Sequence, residues 1–145
     1  MTQAMTIGLT EDQTERLARV AARLGRQPVD TGTLLLEEAL RMAEYDGIEF
    51  RDSTIGRLAY VRGSSLAAWE VAMVARDYGG DAARTAAHLG WPLWRVEAAL
   101  AYAHAYATEI DPIVDANAAQ SFESLQHLLP GLQRITVRYN PETVS

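Results

Sequence analysis

The chain has 145 residues, no cysteine and a formal net charge of −6, and 48% of its residues are apolar. That length holds one ordinary domain or two very small ones, and the composition is that of a folded protein. The missing cysteine excludes a disulfide framework and any thiolate metal site, and the acidic balance excludes a broadly basic nucleic-acid-binding surface.

All thirteen basic residues are arginine, so a nucleic-acid function requires them to be concentrated locally or to bind weakly. The first residues, MTQAMTIGLTEDQ, lack the basic start and apolar run of a signal peptide, and no apolar stretch is long enough to span a bilayer. A cytoplasmic protein with no membrane partner is expected.

Residues 4–9, AMTIGL, alternate as a strand does, with Met5, Ile7 and Leu9 on one face and Ala4, Thr6 and Gly8 on the other. Thr10 and Gln13 stand at capping-box spacing and predict a helix to about Leu24, with Leu17, Val20, Ala21 and Leu24 as its buried stripe and Gly25 as its stop. Thr31 or Thr33 caps a second predicted helix, LLLEEALRMAEY, that ends near Tyr45. One short strand and two short helices cannot bury a core alone, but two copies with their strands paired can.

That order of elements (the strand MTIGL, the capped start LTEDQTERL, the turn RLGR and the ending EEALRM) resembles the ribbon-helix-helix family over residues 5–45. The resemblance implies a homodimer held through Met5, Ile7 and Leu9. It places Ala4, Thr6 and Gly8 on the face that reads bases, and Thr31-Gly32-Thr33 at a helix start that holds a phosphate. Ala4 and Gly8 offer no side-chain donor, and residues 1–46 carry five arginines against eight acids. A unit that only dimerises is the alternative.

From Gly47 the pattern changes. IEFR (48–51) and RLAYVRG (57–63) read as two short strands around the turn DSTIG. Ser64 or Ser65 caps a helix, LAAWEVAMVARDY, with Leu66, Trp69, Met73 and Val74 on its buried side. Asp81 caps AARTAAHL, which Gly90 stops. Pro92 fits the first turn of the next helix, where Val96, Ala99 and Leu100 pack back onto Ala86 and Leu89. Two helices joined by a tight glycine turn form a helix-turn-helix, whose second helix can enter a DNA major groove.

The strand pair ending in RGSSLAAWEV, the gap YGGD, the pair AAHLGWP and the closing RVEAALAYAHAY resemble the bacterial family called domain of unknown function 433, over residues 48–115. Members are small prokaryotic proteins with a helix-turn-helix core, and many resemble antitoxins of PIN-domain ribonuclease toxins. The resemblance implies a DNA-binding regulator that also caps a toxin.

Beyond Glu109 the chain is less regular. EIDPIVDAN reads as a connector because of Pro112; AAQSFESLQHLL has amphipathic spacing, and ITVRY alternates like an edge strand. Residues 117–139 are therefore expected to be the adaptable part of the chain, packing within its own dimer or against a partner through Phe122 and Leu125.

No histidine, serine or carboxylate spacing supports a metal site, a cofactor or a catalytic set, so no enzyme is expected. In the helix-turn-helix, Arg84 and Arg95 offer charge for DNA. Trp91 and Trp94 replace the polar residues usual in a reading helix. Trp94 either packs against Trp69 or the strand pair, or stands exposed as a partner anchor. Tyr102 and Tyr106 stand beside a helix–helix seam or in an ordinary core.

The reading is a mainly α protein with small β elements: a ribbon-helix-helix unit (1–46), a helix-turn-helix domain with a β hairpin (47–115) and a C-terminal extension (116–145). The expected function is that of a homodimeric antitoxin that binds its own operator DNA and a toxin protein. The alternative is a dimeric interaction adaptor without DNA binding.

Overall fold

In a computed structural model that describes residues 2–128, the chain is mainly helical, with six helices and one two-stranded antiparallel hairpin among those residues. It divides into two units, Met1–Ala43 and Glu44–Ser145.

In the first unit, α1 (Glu11–Leu24) opens on the reciprocal cap its sequence predicts. The Gln13 amide donates to Thr10 Oγ1 (3.1 Å) and the Thr10 amide donates to Gln13 Oε1 (3.0 Å). Gly25 ends the helix at φ 65°. Ala21 is buried, while Leu17, Val20 and Leu24 are only half-buried. Helix α2 runs Pro28–Glu44 and so begins three residues before Thr31. Proline suits a first helical position because its missing N–H would be unpaired there anyway, and it displaces the expected caps Thr31 and Thr33 into the helix. Residues 4–9 form no strand. A strand exists only through hydrogen bonds to a neighbour, and among the described residues no segment pairs with it.

The second unit begins with β1 (Ile48–Ser53) and β2 (Gly56–Val61), paired from Ile48↔Val61 to Ser53↔Gly56. Ser64 is not a helix cap. Its hydroxyl donates to the Val61 carbonyl (2.8 Å) and accepts from the Leu66 amide (3.1 Å), which shapes the turn leaving β2. Ser65 caps nothing either, because α3 starts later, at Ala68, and runs to Asp77. Glu70 Oε1 accepts from the Ala67 amide (3.1 Å) at that start. The buried residues of α3 are Ala68, Val71 and Ala75, and the expected Leu66, Trp69, Met73 and Val74 are half-buried; Leu66 lies ahead of the helix.

Helices α4 (Ala82–Leu89) and α5 (Leu93–Ala105) follow. Asp81 caps α4 by accepting from the Arg84 amide (3.0 Å). Gly90 stops α4 at φ 69°, and Pro92 sits just before α5 rather than within its first turn. A Cβ at Gly90 would meet nothing within 4 Å, so Gly90→Ala costs only the left-handed backbone strain. We expect a loss of about 1–2 kcal/mol in urea denaturation.

Helix α6 spans Ala107–Leu128 and contains Pro112, so the expected connector at 109–117 is helical. Proline removes one bond to the Thr108 carbonyl, but Ile110 and Val114, one turn apart around it, are buried against Ile48, Ala68 and Tyr102. Burial of that face outweighs one lost bond. Arg76 on α3 pairs with Asp111 and Asp115 on α6. The segment ITVRY and the side chains of Phe122 and Leu125 lie outside the described residues.

Two linked apolar clusters form the core of this unit. In one, Tyr102 is 1% exposed and meets Tyr45 edge-on at 5.6 Å, Phe50 at 6.3 Å and Tyr106 at 4.8 Å. Tyr102 is thus a core residue that joins α5 to the hairpin, and Tyr106, half-buried, packs against it. The other cluster gathers Val61, Val71, Ala86, Val96 and Ala99 behind α4 and α5. No helix among the described residues is long and apolar enough to cross a membrane.

Candidate functional site

Each unit presents a surface that brings together residues singled out in its sequence. In the first, Met5 (85% exposed), Ile7 (62%) and Leu9 (50%) border an open groove of about 680 Å³ whose walls include Leu17 and Val20 of α1 and Leu35 and Leu36 of α2. Ala21 is the one fully buried apolar side chain among the described residues of this unit. Thr6 and Gly8, the expected base readers, are exposed on the same segment.

The expected phosphate anchor needs correction. Thr31 is completely buried; its amide donates to the Gln27 carbonyl (3.0 Å) and its hydroxyl to the same oxygen (2.9 Å). Thr33 is exposed, and its hydroxyl donates to the Val29 carbonyl (3.2 Å). Both serve the helix interior. The donor amides left over at the start of α2 are those of Val29 and Asp30, where the Asp30 carboxylate opposes an anion.

In the second unit the surface lies around the start of α5. Trp91, half-buried, packs against the cluster of Val61 and Val96. The Arg95 guanidinium stacks over its ring at 4.5 Å and donates from Nη2 to the Arg62 carbonyl (2.7 Å). Gly63, at φ 77°, leaves room for that contact: a Cβ there would stand 3.3 Å from the same nitrogen and would push it aside by a few tenths of an ångström. Trp94 is not a packed core residue: it is 66% exposed, beside the exposed Leu93. The two tryptophans, three residues apart, thus differ: Trp91 lies before the N-cap Pro92 and packs on the core, and Trp94 lies in the first turn of α5 and is exposed.

Trp94, Arg95 and Ala98 of α5 meet Asp46, Gly47, Val61 and Arg62 around a pocket of about 300 Å³. Arg62 donates to the Ile48 carbonyl (3.3 Å). Elsewhere in the unit arginines have acidic partners: Arg51 pairs with Glu49, Arg57 with Asp52, and Arg76 with two aspartates. Among the described residues no carboxylate pairs with Arg62 or Arg95. Arg84 is exposed on α4. The participation of Arg62, Asp46 and Gly47 escaped the sequence reading. Arg62 is 33 residues from Arg95, and the one local signal is a charge placed directly after the apolar strand AYV.

His88 is engaged structurally, its Nδ1 lying 2.8 Å from the Tyr78 hydroxyl. Among the described residues no group of three histidines or carboxylates is gathered to hold a metal ion. None of the family models, curated proteins or solved structures compared with the chain matches it.

Proposed function

We propose that the chain is a cytoplasmic, homodimeric DNA-binding regulator of the antitoxin type, with a ribbon-helix-helix first unit and a helix-turn-helix second unit similar to domain of unknown function 433. The observation that carries the proposal is the bare apolar row Met5, Ile7 and Leu9 beside a groove that a second copy would fill. Pairing two such segments would turn Thr6 and Gly8 outward together, as a ribbon on DNA requires. The pair α4–α5, joined through Gly90, supplies the second motif, with Arg84 and Arg95 toward phosphate. Trp91 and Trp94 mark its partner face, toward a toxin of the PIN ribonuclease class.

The test is an anisotropy titration of the full chain on the DNA upstream of its own gene, repeated across salt concentrations. Arg84→Ala and Arg95→Ala are each expected to weaken binding and to reduce the slope of log affinity against log salt by roughly 0.9 per protomer. Unchanged affinity and slope in both variants would remove the second unit from the DNA.

A second reading, an interaction adaptor without DNA binding, draws on two observations. Trp94 is exposed where a reading helix would present a polar side chain, and Arg95 already bonds a carbonyl and an indole ring. No affinity for the upstream DNA by the dimer would favour it.

A further inference from the structure

We infer that the pocket between the start of α5 and the base of the hairpin is a docking site for an acidic segment of a partner protein that inserts one bulky apolar side chain beside Trp94. The inference rests on the partner-binding half of the function proposed above and not on its DNA-binding half.

Three features of the pocket carry it. Its lining includes the apolar residues Val61 and Ala98 and the exposed Trp94. At about 300 Å³ it stands at the lower end of the range for small-molecule cavities, roughly 300–1,000 Å³, so it suits a single side chain more than a whole cofactor. Its rim carries the two arginines that have carbonyl partners and no carboxylate. A guanidinium bonded to a carbonyl is held in place without a carboxylate partner, and its remaining N–H donors match one; Arg95 is fixed further by the ring of Trp91. Asp46 lies on the same rim and opposes an acidic ligand, which makes the charge preference testable in both directions.

A protein segment fits better than a nucleic acid. Leu93 and Trp94 occupy the exposed first turn of α5 and offer apolar surface where base edges would need donors and acceptors. Tryptophan and arginine together at a small pocket are the residues that dominate protein–protein contacts.

The experiment uses the full chain, ¹⁵N-labelled, and fluorescein-tagged peptides of about twelve residues, with central leucine or phenylalanine flanked by glutamates. Controls replace the central residue with serine or the flanking glutamates with lysine. Burial of the anchor is expected to give at least about tenfold tighter binding than the serine control, with shifts at the Trp94 indole and at the Gly47 and Ala98 amides. Arg62→Ala is expected to weaken the acidic peptide severalfold at low salt, Asp46→Asn to tighten it, and Trp94→Ala to abolish the difference between anchors. Trp94 is exposed, so its replacement leaves the fold intact.

Equal binding of serine or lysine controls, shifts confined to other residues, or no binding at millimolar peptide would overturn the inference while leaving the DNA titration untouched. A duplex of unrelated sequence that displaces the peptide and shifts the Trp94 indole would assign the pocket to nucleic acid, and would overturn it as well. Peptide binding with no affinity for the upstream DNA would uphold the inference and sink only the DNA half of the proposed function.

Discussion

Ile7→Asp is expected to leave the chain monomeric at concentrations where the unchanged protein sediments as a dimer. In the proposed pairing Ile7 sits between Met5 and Leu9 at the seam, and each protomer's residue meets its copy. An uncompensated charge buried at such a seam costs about 3 kcal/mol or more; two per dimer sum to roughly 6 kcal/mol, about four powers of ten in dissociation constant. The second unit keeps its own core, so its near-ultraviolet signal from Trp69 and Trp91 is expected to persist in the variant. Thr6→Ala, at an exposed position of the same segment, should leave the dimer unchanged and so separates the two faces. Sedimentation velocity at micromolar concentration decides the matter, and a wild-type monomer there would sink the dimer.

Tyr102→Ala is expected to be the most damaging single change in the second unit. The side chain is buried among Tyr45, Phe50 and Tyr106, and these contacts tie α5 to the hairpin and to Tyr45 just ahead of it. Truncating a buried aromatic leaves a cavity and forfeits ring contacts, for about 3–5 kcal/mol. In a unit of this size that lowers the melting temperature by roughly 15 °C or more. Tyr102→Phe keeps the ring and is expected to cost about 1.5 kcal/mol or less. A calorimetric scan in which the two variants melt together would show that the hydroxyl, and not ring packing, carries the stability.

The signals that could be read directly from the sequence act over three or four residues. Thr10 and Gln13 cap α1, Asp81 caps α4, Gly25 and Gly90 stop helices in the left-handed conformation, and the hairpin forms where the alternation of IEFR and RLAYV places it. The caps join a side chain to a backbone group three residues away, the glycines act through their own backbone, and the hairpin pairs strands that adjoin in sequence, so each is set locally. Tertiary structure decided the rest. Ser64 serves a turn because β2 must reach α3, and Pro112 is carried through α6 because Ile110 and Val114 on either side of it are buried in the core. Which tryptophan turned inward, and the meeting of Arg62 with Arg95 across Gly63, depended on how α5 lies against the hairpin. Periodicity records which residues are apolar, whereas the pocket is made by residues far apart in the chain, brought together only when their elements pack.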